Sequence, residues 1–182
     1  MAYTHETVTL TRDVIGILIP AGTRVELPEG ADATITQALG GSYTLEVQGH
    51  LFRLDGKDAD AIGKTPESGP VLAEGAGEAE VAAAVRAQLE TVYDPEIPIN
   101  VVELGLIYDC RLEPTEDHGW NAHVAMTLTA PGCGMGDTLV ADVKSKVLQV
   151  PTLRAAEVEL VFDPPWTKDM MSDAAKLQAG FL

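Results

Sequence analysis

The chain has 182 residues, and its 28 acidic and 12 basic side chains give a net charge of -16 at pH 7. A surface this negative repels phosphate backbones, which disfavours nucleic acid as a partner. No apolar run reaches the roughly 20 residues that a membrane-spanning helix needs, and residues 1–7 lack the basic and apolar regions of a signal peptide. We therefore expect a cytoplasmic protein that binds neither nucleic acid nor membrane.

The first third of the chain alternates short β-forming runs with turn residues. The runs that predict strands cover residues 14–19, 24–27, 34–38, 43–47 and 50–54. Short strands with regular turn signals are typical of a small barrel or sandwich. We predict a small all-β, barrel-like module over residues 1–63, which acts as a scaffold or binding module.

A segment rich in Gly and Pro, residues 64–77, predicts a linker. After it, Val81, Val85 and Leu89 recur at helical spacing, which predicts a helix over 78–92. The later periodicities predict strands over 101–112, 121–129 and 153–162, and helices over 132–148 and 167–177. This order predicts an α+β fold: over residues 78–182 we expect a two-layer α/β sandwich with a mostly antiparallel sheet.

Cys133 stands in Thr129-Ala-Pro-Gly-Cys-Gly-Met135, between a predicted strand and a predicted helix. The unpaired N–H groups and the dipole at a helix N-terminus favour the thiolate, which is the form that binds metals and attacks electrophiles. The alternative is a cysteine that packs as a small apolar residue. The choice between a thiolate and an apolar packing residue depends on the residues that lie near Cys133.

The predicted hairpin separates Cys133 from the other thiol and from the nearest strand histidine. If the hairpin is centred on its loop, paired residue numbers sum to about 233, to within a couple of residues. Cys110 then lies opposite His123, and Cys133 extends beyond the strand end towards Asn100. A disulfide and a Cys–His catalytic pair are both disfavoured. No catalytic residue is assigned, and a buried thiol beside a half-exposed imidazole is favoured over a two-ligand patch at Cys110 and His123.

The strand end near Cys133 is preceded by Tyr93-Asp-Pro-Glu-Ile-Pro-Ile-Asn100, whose two prolines exclude regular helix and central strand. Asp94 and Glu96 can approach Cys133 there. Two carboxylates beside a thiolate repel one another unless a cation lies between them, and a metal is one such cation. The alternative is that Asp94 caps a turn while Glu96 faces water.

Four ordered blocks carry a family resemblance. They are Asp94-Pro-Glu-Ile-Pro98, Val101-Val-Glu-Leu-Gly-Leu-Ile-Tyr108, Met126-Thr-Leu-Thr-Ala-Pro-Gly-Cys133 and Asp163-Pro-Pro-Trp-Thr-Lys-Asp-Met-Met-Ser172. Together they resemble the metal-sulfur cluster biosynthesis domain family from about Glu78 to the C-terminus. The added N-terminal module is similar to the longer bacterial, SufT-like iron-sulfur cluster assembly members of that family.

The resemblance implies an accessory factor in iron-sulfur cluster assembly, as in the SUF system, rather than an enzyme. The family's aspartate, glutamate and cysteine fall on Asp94, Glu96 and Cys133, which would hold iron or a cluster transiently. Clusters usually take four ligands, so a second subunit or the client protein would supply the others. The implied partners are iron-sulfur carrier and client proteins, with a homodimer as a further candidate. The alternatives are a pure interaction module and an oxygenase accessory subunit, both with Cys133 structural.

Overall fold

The structure, a computed structural model, describes residues 5–66, 69–73, 75–94, 97–130 and 136–181. The chain divides into two compact units, Met1–Ser68 and Gly69–Leu182. The division falls inside the predicted linker, although the finer bounds of module, linker and domain stay a prediction. Within that segment the partly buried side chains of Leu72 and Ala76 pack against the core of the second unit.

The first unit is a six-stranded sheet in which every neighbouring pair is antiparallel. Its strands are β1 Glu6–Thr9, β2 Val14–Ile19, β3 Arg24–Leu27, β4 Asp32–Leu39, β5 Ser42–Val47 and β6 His50–Asp55. The five predicted strands are present within two residues of their predicted bounds, and β1 is an additional strand. The sheet order is β1-β4-β5-β6-β2-β3. The barrel-like closure is not confirmed, because β1 and β3 lie at the two ends of this order.

One core serves the whole first unit. The alternation of the strands buries Leu45 and Val47 on β5 and Phe52 and Leu54 on β6. A short 3₁₀ helix, Gly56–Ile62, follows β6 and adds Ile62 to the same core.

Arg12 ties the chain after β1 to this 3₁₀ helix. Its guanidinium donates to both carboxylate oxygens of Asp60, at 2.8 and 2.7 Å, and to Asp58 at 2.9 Å. The bonds from Arg12 lower the pKa of Asp60 below its ordinary value. The three charges therefore act as one surface network.

The second unit combines helices with a three-stranded sheet of order β7-β8-β9. Its elements are α1 Glu78–Leu89, β7 Ile107–Pro114, β8 Trp120–Met126, α2 Gly136–Val147, β9 Leu153–Leu160 and α3 Asp173–Gln178. On β8, buried Ala122, Val124 and Met126 alternate with half-exposed residues. They share one core with Val81, Val85 and Leu89 of α1 and with Leu139, Val143 and Val147 of α2. The helices therefore form a layer over one face of the sheet, as predicted.

The prediction of a mostly antiparallel sheet is wrong for one of the two strand pairs of the second unit. β7 and β8 are antiparallel, whereas β8 and β9 are parallel. The physical reason is the connection: a helix between two strands returns the chain to the starting end of the sheet, so the second strand runs the same way. Here α2 makes that return and contacts β9.

Two predicted elements, β7 and α3, begin later in the chain than their sequence patterns suggested. β7 begins at Ile107 rather than at residue 101, because residues 101–105 form turns. The final helix is capped by Ser172, whose Oγ accepts the backbone N–H of Ala175 at 3.1 Å. Thr167, the predicted cap, precedes only a short 3₁₀ helix, Lys168–Met170.

In the part of the chain that the structure describes, every helix is too short or too polar to cross a bilayer.

Candidate functional site

Asp94 lies at the corner that follows α1. Its side chain is buried, with 9% of the residue exposed. The Oδ1 atom accepts the backbone N–H of Ile97 at 2.9 Å, and the Asp94 N–H donates to the carbonyl oxygen of Ile99 at 3.2 Å. Tyr93 and Asn100 form an isolated antiparallel bridge across the same corner. The carboxylate is therefore held in place by its own loop, and the turn-capping role considered from the sequence is present.

The segment from Ile97 to Leu106, here called the corner loop, continues from Asp94 to the start of β7. The Asn100 Oδ1 atom accepts the backbone N–H groups of Val102 at 3.0 Å and Glu103 at 2.9 Å. This side chain therefore satisfies two turn donors that a strand would have paired with a neighbour. Gly105 has a φ of +69°, a conformation that side-chain-bearing residues adopt at a cost. These two residues explain why the apolar run 101–106 is a loop.

Backbone hydrogen bonds connect the Asp94 corner to the end of β8. Val101 donates to the carbonyl oxygen of Val92 at 2.9 Å, and Leu106 donates to that of Val101 at 2.9 Å. Thr127, directly after β8 and 1% exposed, donates to the carbonyl oxygen of Leu106 at 2.8 Å. The strand end that leads in sequence to Cys133 thus lies against the corner loop.

Two of the three predicted site residues, Glu96 and Cys133, lie outside the described residues, so their approach to Asp94 stays a prediction. The next described residue after Cys133 in the chain is Gly136, the first residue of α2. A Cβ at Gly136 would come within 2.8 Å of the Leu128 Cδ1 atom. The start of α2 therefore packs closely against the residue that follows Thr127.

The structure separates the two residues that the sequence placed opposite each other on the hairpin. Cys110 pairs with Val124, and His123 pairs with Arg111. The register sum is 234 rather than 233, a shift within the expected error. Cys110 is exposed, and partial burial of its sulfur together with the Asp109 charge raises its pKa. The protonated thiol of Cys110 is therefore favoured over the thiolate. Cys110 also does not form a ligand pair with His123.

His123 lies on the face of the second sheet opposite the helices. Its Nε2 atom is 3.2 Å from a carboxylate oxygen of Glu113, and its Nδ1 atom is 3.2 Å from one of Glu157. A groove of about 90 Å³ on this face is lined by Asp109, Arg111, Glu157 and Glu159 as well as His123. Among the residues that the structure describes, no group of three or more His, Cys, Asp or Glu is arranged to hold a metal ion. Any metal bound through Asp94 would therefore need ligands from Glu96, Cys133 or another protein.

Sequence reasoning missed the contact between the corner loop and the C-terminal segment. The Trp166 indole Nε1 donates to the carbonyl oxygen of Leu104 at 2.8 Å. The half-buried ring of Trp166 also packs against the core of the second unit. The available signal was its place in Asp163-Pro-Pro-Trp166, where two prolines restrict the backbone.

Three comparisons relate this geometry to known proteins. The family model described as iron-sulfur cluster assembly protein matches residues 82–160, all within the second unit. A Fe-S protein maturation auxiliary factor of Porphyromonas gingivalis is 48% identical over 96 residues, which are 52% of this chain and 86% of that protein. The Fe-S protein maturation auxiliary factor SufT of Staphylococcus aureus is 44% identical over 89 residues, or 49% and 97% of the two chains.

Among solved structures, a domain of unknown function, DUF59, from Bacillus anthracis is similar. It superimposes with a TM-score of 0.50 at 38% identity, over 57% of this chain and 95% of that one. This similarity supports the mixed α+β fold found here.

Proposed function

This chain belongs to the iron-sulfur cluster assembly protein family, and we propose that it is an accessory factor in the maturation of iron-sulfur proteins. Two similar proteins carry the name of Fe-S protein maturation auxiliary factor. Neither name is that of an enzyme, which agrees with a non-catalytic role. The partners in this role are iron-sulfur proteins: a carrier that delivers and a client that receives.

The observation that carries the proposal is the buried Asp94 carboxylate at the corner after α1. A buried carboxylate is costly unless it is hydrogen-bonded or binds a cation. Asp94 accepts a hydrogen bond from Ile97, and its corner loop contacts the strand end that leads to Cys133 through Leu106 and Thr127. We propose that Asp94, Glu96 and Cys133 form one site.

In this proposal the site holds iron or an iron-sulfur cluster as cargo. Carboxylate oxygen and thiolate sulfur are both iron ligands, but three side chains leave a cluster short of the four ligands that it usually takes. The missing ligand would come from a second copy of the chain or from the client protein. An incomplete ligand set favours transfer over storage, because a competing protein can complete the coordination.

The second mode of action is docking, in which the chain brings carrier and client together and Cys133 is structural. The net charge of -16 favours partners with complementary basic surfaces. Both modes predict a maturation defect when the chain is removed. They differ in what the thiol contributes.

The decisive experiment replaces the thiol in the full chain. In a bacterial strain that depends on this chain for maturation, we expect Cys133→Ser to abolish the activity of iron-sulfur enzymes while the thermal unfolding of the purified variant is unchanged. Cys110→Ser is the matched control, because Cys110 is an exposed thiol on β7, paired with Val124 and outside the proposed site. Normal maturation in Cys133→Ser would overturn the thiolate role.

Anaerobic reconstitution with iron and sulfide separates cargo holding from docking. Visible absorption that is present in the wild type and in Cys110→Ser, but absent in Cys133→Ser, supports a cargo site. If the wild type shows no absorption and Cys133→Ala matures client enzymes normally, the docking mode is the correct one.

A further inference from the structure

The C-terminal segment from Pro164 to Gln178, here called the clamp, is hydrogen-bonded along the corner loop. Trp166 donates to the Leu104 carbonyl oxygen at 2.8 Å, and the Ser172 N–H donates to that of Glu103 at 2.9 Å. The Gln178 side-chain amide donates to the Pro98 carbonyl oxygen at 3.2 Å. These bonds join residues 62 to 80 positions apart, so they form only when the second unit is folded.

Side chains and backbone shape strengthen the same contact. The Ser172 hydroxyl donates to the Glu103 carboxylate, and the Tyr108 hydroxyl, at the start of β7, donates to the Pro164 carbonyl oxygen at 2.8 Å. A Cβ at Gly105 would overlap the Met170 carbonyl oxygen. The loop therefore has a glycine where the clamp backbone comes closest.

The composition of the clamp indicates that core burial alone does not explain it. Met171 and Ala175 are buried in the core, at 3% and 2% exposed, and Trp166 packs against it half-buried, whereas Pro164, Pro165 and Asp169 are exposed. The six residues of α3 are too few for a stable isolated helix. Few side chains of this segment thus contact the core, and most of its hydrogen bonds to the rest of the unit go to the loop that follows Asp94.

We propose that the clamp positions Asp94 by fixing the backbone of the corner loop, with Trp166 and Gln178 as positioning residues. Asp94 receives its hydrogen bond from Ile97 and donates to Ile99, and both partners belong to the loop that the clamp holds at Pro98, Glu103 and Leu104. The clamp lies outside residues 82–160, where the family model matches. Its role in maturation rests on the proposed function, whereas its effect on the Asp94 corner does not.

The test is amide hydrogen exchange of the full chain carrying Trp166→Phe. Phenylalanine keeps an aromatic ring but cannot donate to the Leu104 carbonyl oxygen. Loss of one hydrogen bond raises the equilibrium constant for local opening roughly two- to tenfold. We expect exchange of the Ile97 amide, which reports the Asp94 hydrogen bond directly, to accelerate by about that factor. The Val124 amide in the core of β8 should be unchanged, which excludes a general loss of stability.

Trp120→Phe is the matched control, because Trp120 lies on β8 beside Pro114 at the hairpin end of the sheet. It should leave Ile97 exchange unchanged. Gln178→Ala is a second variant at an exposed side chain, so folding is not at risk. It should accelerate Ile97 exchange less than Trp166→Phe does.

Maturation of iron-sulfur enzymes is measured for the same variants. A reduced rate in Trp166→Phe, with normal rates in Trp120→Phe and reduced rates in Asp94→Asn, supports positioning of Asp94 by the clamp. Unchanged Ile97 exchange in both clamp variants would overturn the inference. Normal maturation in Asp94→Asn would overturn the proposed role of Asp94 in function, while the exchange result would still decide whether the clamp fixes the corner.

Discussion

The Asp94 carboxylate accepts the backbone N–H of Ile97 at 2.9 Å inside a corner where only 9% of Asp94 is exposed. This hydrogen bond stabilises the turn, and the carboxylate also carries the negative charge that the proposed cargo site uses. These two roles predict different results for two substitutions. Asp94→Asn keeps an acceptor oxygen and removes the charge, whereas Asp94→Ala removes both.

We expect Asp94→Ala to lower the free energy of unfolding by about 1 to 3 kcal/mol, because the Ile97 N–H loses its acceptor in a buried corner. Asp94→Asn keeps the acceptor and should lower the free energy of unfolding by less than about 1 kcal/mol. Both variants should show the maturation defect. Urea unfolding of the purified variants measures the difference in stability, and client enzyme activity measures the shared maturation defect. Equal loss of stability in the two variants would contradict the turn-stabilising role.

Gly105→Ala tests the close approach of the clamp to the corner loop. The substitution places a methyl group against the Met170 carbonyl oxygen at a residue with φ of +69°. We expect a loss of about 3 kcal/mol or more, from backbone strain of roughly 1 to 2 kcal/mol with the steric overlap added. Urea unfolding measures the loss.

Gly180→Ala is the control for that measurement. Gly180 has a φ of +76°, and a Cβ there meets nothing within 4 Å. Gly180→Ala should therefore lower the free energy of unfolding only by the backbone strain, about 1 kcal/mol. If the two substitutions lower the free energy of unfolding equally, the clamp does not pack closely against Gly105.

The stabilising contribution of Asp117 to the second unit should be lost in acid. Its carboxylate accepts hydrogen bonds from the Thr115 hydroxyl and from Arg154 Nε at 2.6 Å, which lower its pKa from 3.8 to about 2. A carboxylate with a depressed folded-state pKa contributes stability above its ordinary pKa, and that contribution is lost as the pH falls from about 4 to 2.

Asp117→Asn should therefore reduce the urea midpoint at neutral pH and flatten its decline between pH 4 and pH 2. The wild type and the variant should converge below pH 2. Arg154→Leu should remove only part of the same decline, because Thr115 still donates to Asp117. An identical pH dependence in the wild type and Asp117→Asn would contradict the assignment.

Cys110 should react slowly with iodoacetamide near neutral pH. Partial burial of its sulfur, and then the Asp109 charge, raise its pKa above the ordinary thiol value. Since the thiolate is the nucleophile, its alkylation rate should still be rising at pH 9. Mass spectrometry of labelled peptides follows the rate, and Asp109→Asn should increase it. A rate that levels off near pH 7 would contradict the raised pKa.

Periodicity and turn residues in the sequence determined most of the elements. Short β-forming runs between turn residues predicted β5 and β6 at residues 43–47 and 50–54. Helical spacing of Val81, Val85 and Leu89 predicted α1, because residues three to four positions apart lie on one face of a helix. The blocks around Asp94 and Cys133 also indicated the family before any geometry was known.

Only the tertiary structure decided how those elements meet. The run 101–106 has the composition of a strand, but Asn100 and Gly105 turn it into a loop that contacts Thr127 and Trp166. The direction of β9 and the open edges of the first sheet were likewise absent from the local patterns. Local patterns report which face of a segment is apolar, whereas strand direction and loop contacts depend on partners up to 80 residues away, which no short-range period encodes.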